Sequence, residues 1–598
     1  MTSSSLRHGR LALDFPVPAF AKIPTLLLAG LLALTLAAAP AGADISGTVL
    51  VEGSGDPGIP IAGARVHLQT DLTTVIVTGV DGTFTLPVAG AGPFVVTAGV
   101  EYDRDSATNF LTGGAEVATD DATGVEIRLM ELPLADEPNY DVPTAKLCAS
   151  CHPVQFSEWQ QSNHSFASSD TWVRDLYSGD GTAGGGAGYV FRDTHDADDT
   201  GFCAVCHNTM EDVFDPGNVF FDEASTPAGI DGVTCVACHQ MDSINEDVNA
   251  LGHLGNATYR FPDGDLPTSQ FVWGPLDDVV FAGMRASYAP HFRDSLMCAS
   301  CHQYQNPDTG APGQSTYSEW LDSPYAVAGP DFRSCQDCHM EANDESEICF
   351  IGDQPVRPSE QNKRHDFVGS TPDTLAEALL LTTVAEDADG VLTVRAEVTN
   401  SGGGHSFPTG VSIRNAILVL EATWNGQPLE QLSGPQIPFW ADDDVPGKQE
   451  GDYAGDPGKG FAKVLEGRIN GQGEVMRPVL FIDAEGVYSD TLIPATETDV
   501  TEVELILPPG SLPGDTVEVS ARLLYRRAWR ALAVTKGWTQ TPQGGPVEIE
   551  VTRNDLAVTL TSGGLDPLAI PTLGTVGLAL LVGLMVVAAL ALLRRRGV

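Results

Sequence analysis

Cys298-Ala-Ser-Cys-His302 closes the run YAPHFRDSLMCASCH (Tyr288–His302), and its spelling recurs. CASCH stands at Cys148, Cys151 and His152, CAVCH at Cys203, Cys206 and His207, and CVACH at Cys235, Cys238 and His239. CQDCH at Cys335, Cys338 and His339 completes five copies of C-x-x-C-H, which use ten of the chain's 11 cysteines. From this composition chance predicts roughly 0.004 copies. A disulfide framework would not need the fixed spacing, and thioredoxin-like or zinc readings leave the five histidines without a role. The spelling is that of covalent haem c attachment. Two thiols add across the porphyrin vinyl groups, and the adjacent histidine becomes the proximal iron ligand.

Five irons then need sixth ligands or open positions. Outside the motifs stand His8, His67, His164, His195, His253, His291, His365 and His405. His8 falls in the leader described below, and His67 lies in a strand-like stretch, ARVHLQT, where a structural role is expected. Six remain for five irons, all in or just after the motif region, so bis-histidine haems are expected. Cys349, in DESEICFIGD, is left over as a free or buried thiol, or as a reactive thiol beside a haem.

The ends of the chain carry apolar runs. Arg7 and Arg10, then IPTLLLAGLLALTLAAA, then Ala41-Gly42-Ala43 read as a secretory signal over residues 1–43. Export agrees with haem attachment, which takes place outside the cytoplasm. Thr572–Leu593 is uncharged and long enough to span a bilayer, and Arg594–Arg596 behind it would stay cytoplasmic. Formal charge is −48, from 80 acidic and 32 basic residues. That argues against nucleic acid and anionic membrane surfaces as partners.

Between these ends the expected order is a β-sandwich over 44–131, a haem segment over 132–370, an Ig-like β domain over 371–560, and a linker, membrane segment and arginine tail over 561–598. ISGTVLV, ARVHLQT, TTVIVTGVDGTFTLPV and PFVVTAGV alternate apolar and polar residues as strands do. GVLTVRAEVTN, RNAILVLEATWNG, DVTEVELILP, DTVEVSARLLYRR and PVEIEVTR do the same further on. The haem segment is expected to hold short helices and long loops, because macrocycles replace a side-chain core. GTAGGGAG (Gly181–Gly188) reads as a flexible run with no phosphate-loop context. YRRAWR (Tyr525–Arg530) is a basic cluster, either a solvated strand end or a set of arginines pairing with haem propionates.

Three resemblances extend this reading. FSEWQQSNHSFA, GVTCVACHQM, YAPHFRDSLMCASCH, STYSEWLDSPYAVAG before CQDCHM, KRHDFVGS and GGGHSFPTG, taken in order over Lys146–Gly410, resemble the multihaem c-type cytochromes related to cytochrome c554. That resemblance implies distal iron ligands at His164, His253, His291, His365 and His405, and leaves His195 without a counterpart, as a surface or supporting residue. GTV…IAGARV…TGVDGTFTL resembles the carboxypeptidase regulatory-like sandwich, a non-catalytic module. IPTLG (Ile570–Gly574), the span and the arginines resemble the IPTL-CTERM sorting tails, which implies a periplasmic or cell-surface address. Two functions stay open. One is an electron carrier with five haem c groups, passing electrons to redox proteins or extracellular acceptors. The other is an oxidoreductase for a small nitrogen or sulfur oxyanion at one open iron.

Overall fold

The computed structural model describes residues 43–564, apart from 134, 246–256, 263–269, 281–282, 345–347 and 352–354. His253, nearly all of the leader and the C-terminal apolar run lie outside the described residues. Among the described residues no helix is long and apolar enough to cross a membrane. The molecule is multidomain, β-rich at both ends and helical in the middle.

The first domain has seven strands: β1 (Ala43–Val51), β2 (Arg65–Leu68), β3 (Asp71–Val77), β4 (Thr83–Val88), β5 (Phe94–Gly99), β6 (Gly113–Val117) and β7 (Val125–Leu129). They form two sheets, in the orders β4-β1-β7 and β3-β2-β5-β6. Side chains on a strand alternate between faces, so Phe84, Leu86 and Val88 of TFTLPV all turn inward. They meet Ile45, Val49, Val96 and Ile127 in one apolar core. Each such buried side chain contributes about 1.5–3 kcal/mol.

The middle segment lacks that economy. Its longest described helix, Pro153–Gln161, has nine residues. Helices this short do not persist without tertiary support. Its apolar side chains fall into separate small clusters, such as Tyr177, Phe191 and Phe221, or Met210, Val236 and Phe261. Short β-pairs join them, including the parallel pair Gln270–Gly274 with Met284–Tyr288.

From Leu379 the chain is again β. One sheet runs Leu379–Ala388, Val391–Asn400, Thr498–Ile506, Glu430–Ser433. The other runs Gln427–Pro428, Asn415–Trp424, Thr516–Arg526, Glu548–Thr559, with Gly458–Phe461 also paired to Asn415–Trp424. Leu392, Val394, Ala396 and Val398 point from one sheet toward Leu418, Leu420, Val519 and Leu523 of the other.

Both β domains are fastened to the middle segment. Arg65 and His67 of β2 reach Asp277 at 2.6 and 3.1 Å. Arg104 and Tyr102 reach the buried Asp242. On the other side the fully buried Lys536 donates to the carbonyls of Asp175, Gly185 and Tyr189 at 2.8, 2.5 and 2.6 Å. Asp175 in turn takes the Thr182 amide and hydroxyl and the Trp538 indole N–H. The glycine run Gly181–Gly188 is thus pinned at both faces rather than loose. A Cβ at Gly184 would stand 2.6 Å from the Lys536 carbonyl, and one at Gly185 would meet the Asp175 carboxylate, so glycine is required for close approach.

Candidate metal centres

Each C-x-x-C-H lies on a helical turn. The helices are Cys203–His207, Cys235–His239, Leu296–His302 and Cys335–His339, and the turn after Ala145–Cys148 continues through His152 N to Cys148 O. A three-residue spacing on such a turn puts both sulfurs on one side. Ser334 and Asp337 form a capping box that starts the last of these helices. None of the 11 cysteines is in a disulfide. Their sulfurs lie side by side across motifs: Cys148 beside Cys235, Cys298 beside Cys335, and Cys301 beside Cys206. Cys238 lies close enough to act on Cys298 and Cys301. The five motifs therefore form one contiguous group. Cys349 lies against Cys151, with the Phe350 amide on the Cys151 carbonyl at 3.0 Å.

Four of the five motif histidines have one ring nitrogen tied down. Nδ1 of His152, His207, His239 and His339 donates to the carbonyls of Ile348, Ala167, Trp273 and Val368, at 2.7 to 2.9 Å. Holding Nδ1–H in this way fixes the ring and leaves Nε2 as the lone-pair donor.

Of the five expected distal histidines, four are described. His405 and His339 face each other with ring centroids 6.3 Å apart and planes 4° apart. His164 and His302 stand 6.4 Å apart at 51°. Two imidazoles bonded at about 2 Å to opposite faces of one metal would have centroids roughly 6 Å apart, so both pairs fit an iron between them. Nδ1 of His405 and of His365 is spent on the carbonyls of Ser406 and Lys363. His365 lies near His239 and His152, between the third and first motifs. His291 differs, since its Nε2 takes the Met241 carbonyl at 3.1 Å and Nδ1 is the nitrogen left over. Burial first, then the charge of neighbouring imidazoles, pushes His164 down to about 3 and His302 to about 4. Burial likewise takes His405 and His365 to about 4. All four are neutral at pH 7, the form in which imidazole binds a metal. Among the described residues no three His, Cys, Asp or Glu are placed to hold a bare ion, but a porphyrin iron asks the protein for only two axial ligands.

His195 is not at the surface. It is stacked on Phe191 at 4.1 Å, and its Nε2 meets the buried Asp483 at 3.0 Å. Burial plus a carboxylate partner makes it a fastening between the middle and C-terminal segments. Of the YRRAWR arginines, Arg526 is held by Glu548 and the carbonyls of Ala441 and Gly451, and Arg530 by Asp452. The solvated-strand-end reading fails for Arg526, which folding buries against its acceptors, while Arg530 is paired but only half-buried.

The middle segment also carries an internal repeat. FSEWQQSNHSFA and YSEWLDSPYAVA align residue for residue at Ser-Glu-Trp. Trp159 Nε1 donates to Val233 O, two residues before Cys235, and Trp320 Nε1 donates to Arg333 O, two residues before Cys335. Val233 N returns to His164 O, and Arg333 N returns to Tyr325 O, both at 3.0 Å. Each glutamate anchors a loop that carries an expected distal histidine. Glu158 accepts the amide of His365 at 2.9 Å, and Glu319 accepts the Thr409 hydroxyl at 2.6 Å. Tyr325 thus holds the place of His164 in the second copy, where His405 comes in from the C-terminal domain. Aligning the two S-E-W stretches would have found this from sequence.

Residues 147–240 match the family profile of cytochrome c554 and c-prime. They form a cytochrome c554 family domain. The match takes in the first three C-x-x-C-H motifs and supports haem c attachment and electron transfer in general terms. The chain is similar to a penta-haem cytochrome c552 from Thermochromatium tepidum, at 19% identity and a TM-score of 0.46, over 70% of this chain and 99% of that one. It is also similar, at 21% identity and a TM-score of 0.12, to a type II cohesin–X-dockerin complex from Acetivibrio cellulolyticus, over 15% of this chain and 58% of that one. Comparison with curated proteins finds no match.

Proposed function

We propose that the chain is an exported electron carrier that binds five haem c groups, most or all with two histidine ligands. The observation that carries this reading is the contiguity of the five motifs together with the two facing histidine pairs. Each haem c, when bound, supplies a one-electron ferric/ferrous couple. The chain's own part is to hold the thioether cysteines side by side, so that no long gap separates one site from the next. Cys148, Cys151, Cys203, Cys206, Cys235, Cys238, Cys298, Cys301, Cys335 and Cys338 are the attachment points. His152, His207, His239, His302 and His339 are the proximal ligands. His164, His253, His291, His365 and His405 are the distal ones. Facing histidines exclude a small substrate from the iron, which favours a carrier over a reductase. The N-terminal sandwich buttresses the middle segment through Asp242 and Asp277. The expected leader and apolar tail, with attachment outside the cytoplasm, support a periplasmic or cell-surface address and soluble or extracellular redox partners.

Intact mass and a pyridine haemochrome assay test the stoichiometry, with five covalent haems expected. Electron paramagnetic resonance of the oxidised chain tests the ligation. Low-spin signals throughout support the carrier. A high-spin signal that binds added cyanide or nitrite would favour an oxidoreductase with one open iron.

A further inference from the structure

In a chain with 48 more acidic than basic residues, most described arginines and lysines have a carboxylate partner, but some do not. Arg414 and Arg527 are such a pair. The Arg414 guanidinium folds over the loop of His405, and a Cβ built on Gly410 would lie 2.8 Å from its Nη1. Gly410 has φ +88°, so glycine serves both the turn and the close approach. No hydrogen bond or ion pair is made by the Arg414 side chain among the described residues. Arg527 donates through Nη2 to the carbonyl of Ser370, while its buried Nε has no partner. Ser370 ends the loop whose Val368 carbonyl holds Nδ1 of His339. The hydroxyl of Ser412, between His405 and Arg414, is also buried without a partner. The two cations are close enough that burial and then the Arg414 charge pull Arg527 below the ordinary guanidinium range.

Like charges brought together at a half-buried place, with donors left over, call for an anion. A guanidinium presents a planar fork that matches a carboxylate. We propose that Arg414 and Arg527 bind the propionate carboxylates of the haem that His339 and His405 would share. This rests on the haem reading above and deepens it. The C-terminal β domain then supplies both the distal ligand and the counter-charges of one haem. Neutralising the propionates favours the ferrous, less positive iron, so the two arginines hold that haem at a higher potential than it would otherwise have.

The test is a spectroelectrochemical titration of the full haem-loaded chain, comparing wild type with Arg414→Gln, Arg527→Gln and the double variant. Arg414→Gln breaks no hydrogen bond inside the chain, so it reads the effect even if Arg527→Gln, which loses the Ser370 tie, fails to fold. The expected result is five retained low-spin haems, with one midpoint shifted to lower potential and further lowered in the double variant. Arg414→Lys, which keeps the charge, restores most of the shift. Five haems with unmoved midpoints in Arg414→Gln would overturn the assignment while leaving the haem reading intact. A chain without covalent haem would instead sink the parent reading and this one with it. A wild-type midpoint that responds to added sulfate or phosphate, with the response lost in Arg414→Gln, would show an exchangeable inorganic anion as the occupant and also overturn it.

Discussion

The imidazole planes of His339 and His405 lie 4° apart across a 6.3 Å gap, although one ring belongs to a C-x-x-C-H helix and the other to a loop between strands of the C-terminal β domain. Three features hold the second ring there. Asn400 Nδ2 donates to the His405 carbonyl, Phe407 pairs with Ile493 through both backbone bonds, and Thr409 is tied to Glu319. Near-parallel axial imidazoles give a rhombic low-spin ferric spectrum, whereas strongly twisted ones give a highly anisotropic signal. At least one rhombic component is expected in the oxidised chain. His405→Ala should remove it, create one high-spin haem that binds added imidazole, and make the region near Ser370 easier to cut with protease. Retention of all low-spin intensity in His405→Ala would show that this ring is not an axial ligand.

Glu319 acts on that loop from outside. Its carboxylate takes the Thr409 hydroxyl at 2.6 Å and Lys463 at 3.1 Å, and it is largely buried. Glu319→Ala should strip Thr409 and Lys463 of the carboxylate they share, leaving Thr409 only the Thr316 hydroxyl and Lys463 only Asp490 at 3.7 Å, and cost about 1–3 kcal/mol. The expected reading is faster cyanide binding at one haem without loss of any haem. Glu158→Ala should do the same at a different haem, through the His365 amide. If both variants perturb one and the same haem spectrum, the two S-E-W modules do not serve separate sites.

What the sequence disclosed and what it hid divide along physical lines. The C-x-x-C-H helices were legible because attachment chemistry demands adjacent residues at fixed spacing. The strands were legible because inward and outward side chains alternate, as in VLTVRAEVTN, where every second residue is buried. The loop of His405 could be singled out by its glycines, yet its partner could not, since nothing local ties residue 405 to residue 339. Lys536 reads as an ordinary charge at the end of a short helix, and only the fold brings the glycine run and Asp175 around it. His195 looked superfluous for the same reason, because Asp483 lies far along the chain.

His195→Ala should therefore leave every haem spectrum unchanged and still weaken the molecule. Removing the ring strips Asp483 of one partner and takes away a stacked surface on Phe191. A loss of about 1–3 kcal/mol is expected. Thermal unfolding followed beside the haem absorbance checks both halves. A new high-spin band in this variant would make His195 a ligand after all.

Lys536→Met keeps much of the volume but leaves three carbonyls, those of Asp175, Gly185 and Tyr189, without their donor. The buried ammonium makes three charge-assisted bonds, so the loss should be about 3 kcal/mol or more. Cleavage of the Gly181–Gly188 run by a nonspecific protease should rise sharply in this variant. An uncut loop would mean that the Trp172–Trp538 stack, at 4.3 Å and 6°, suffices to hold it.

The contact of the N-terminal domain with the middle segment should respond to pH through His67. The ring is 1% exposed, and both nitrogens face acceptors, Nδ1 the Leu68 carbonyl at 2.8 Å and Nε2 the Asp277 carboxylate at 3.1 Å. Only the doubly protonated imidazolium satisfies both. Burial works against that charge, but the Asp277 and Leu68 hydrogen bonds outweigh it and raise His67 above its ordinary value. For Asp277 burial is likewise outweighed, by His67 and Arg65, and its carboxyl falls to about 2. A raised histidine stabilises fully below its unfolded value, about 6.5, and loses that contribution as pH rises through the raised one. A depressed carboxylate stabilises fully above about 3.9 and loses its share as pH falls toward 2. The contact is thus strongest between about pH 4 and 6.5. Comparing the melting temperature of wild type and His67→Gln from pH 5 to 9 isolates this group from the other histidines, which both chains share. The wild-type advantage should be largest near pH 5–6 and shrink steadily above pH 7. An advantage that is flat over the whole range would show that His67 stays neutral and is held by packing alone.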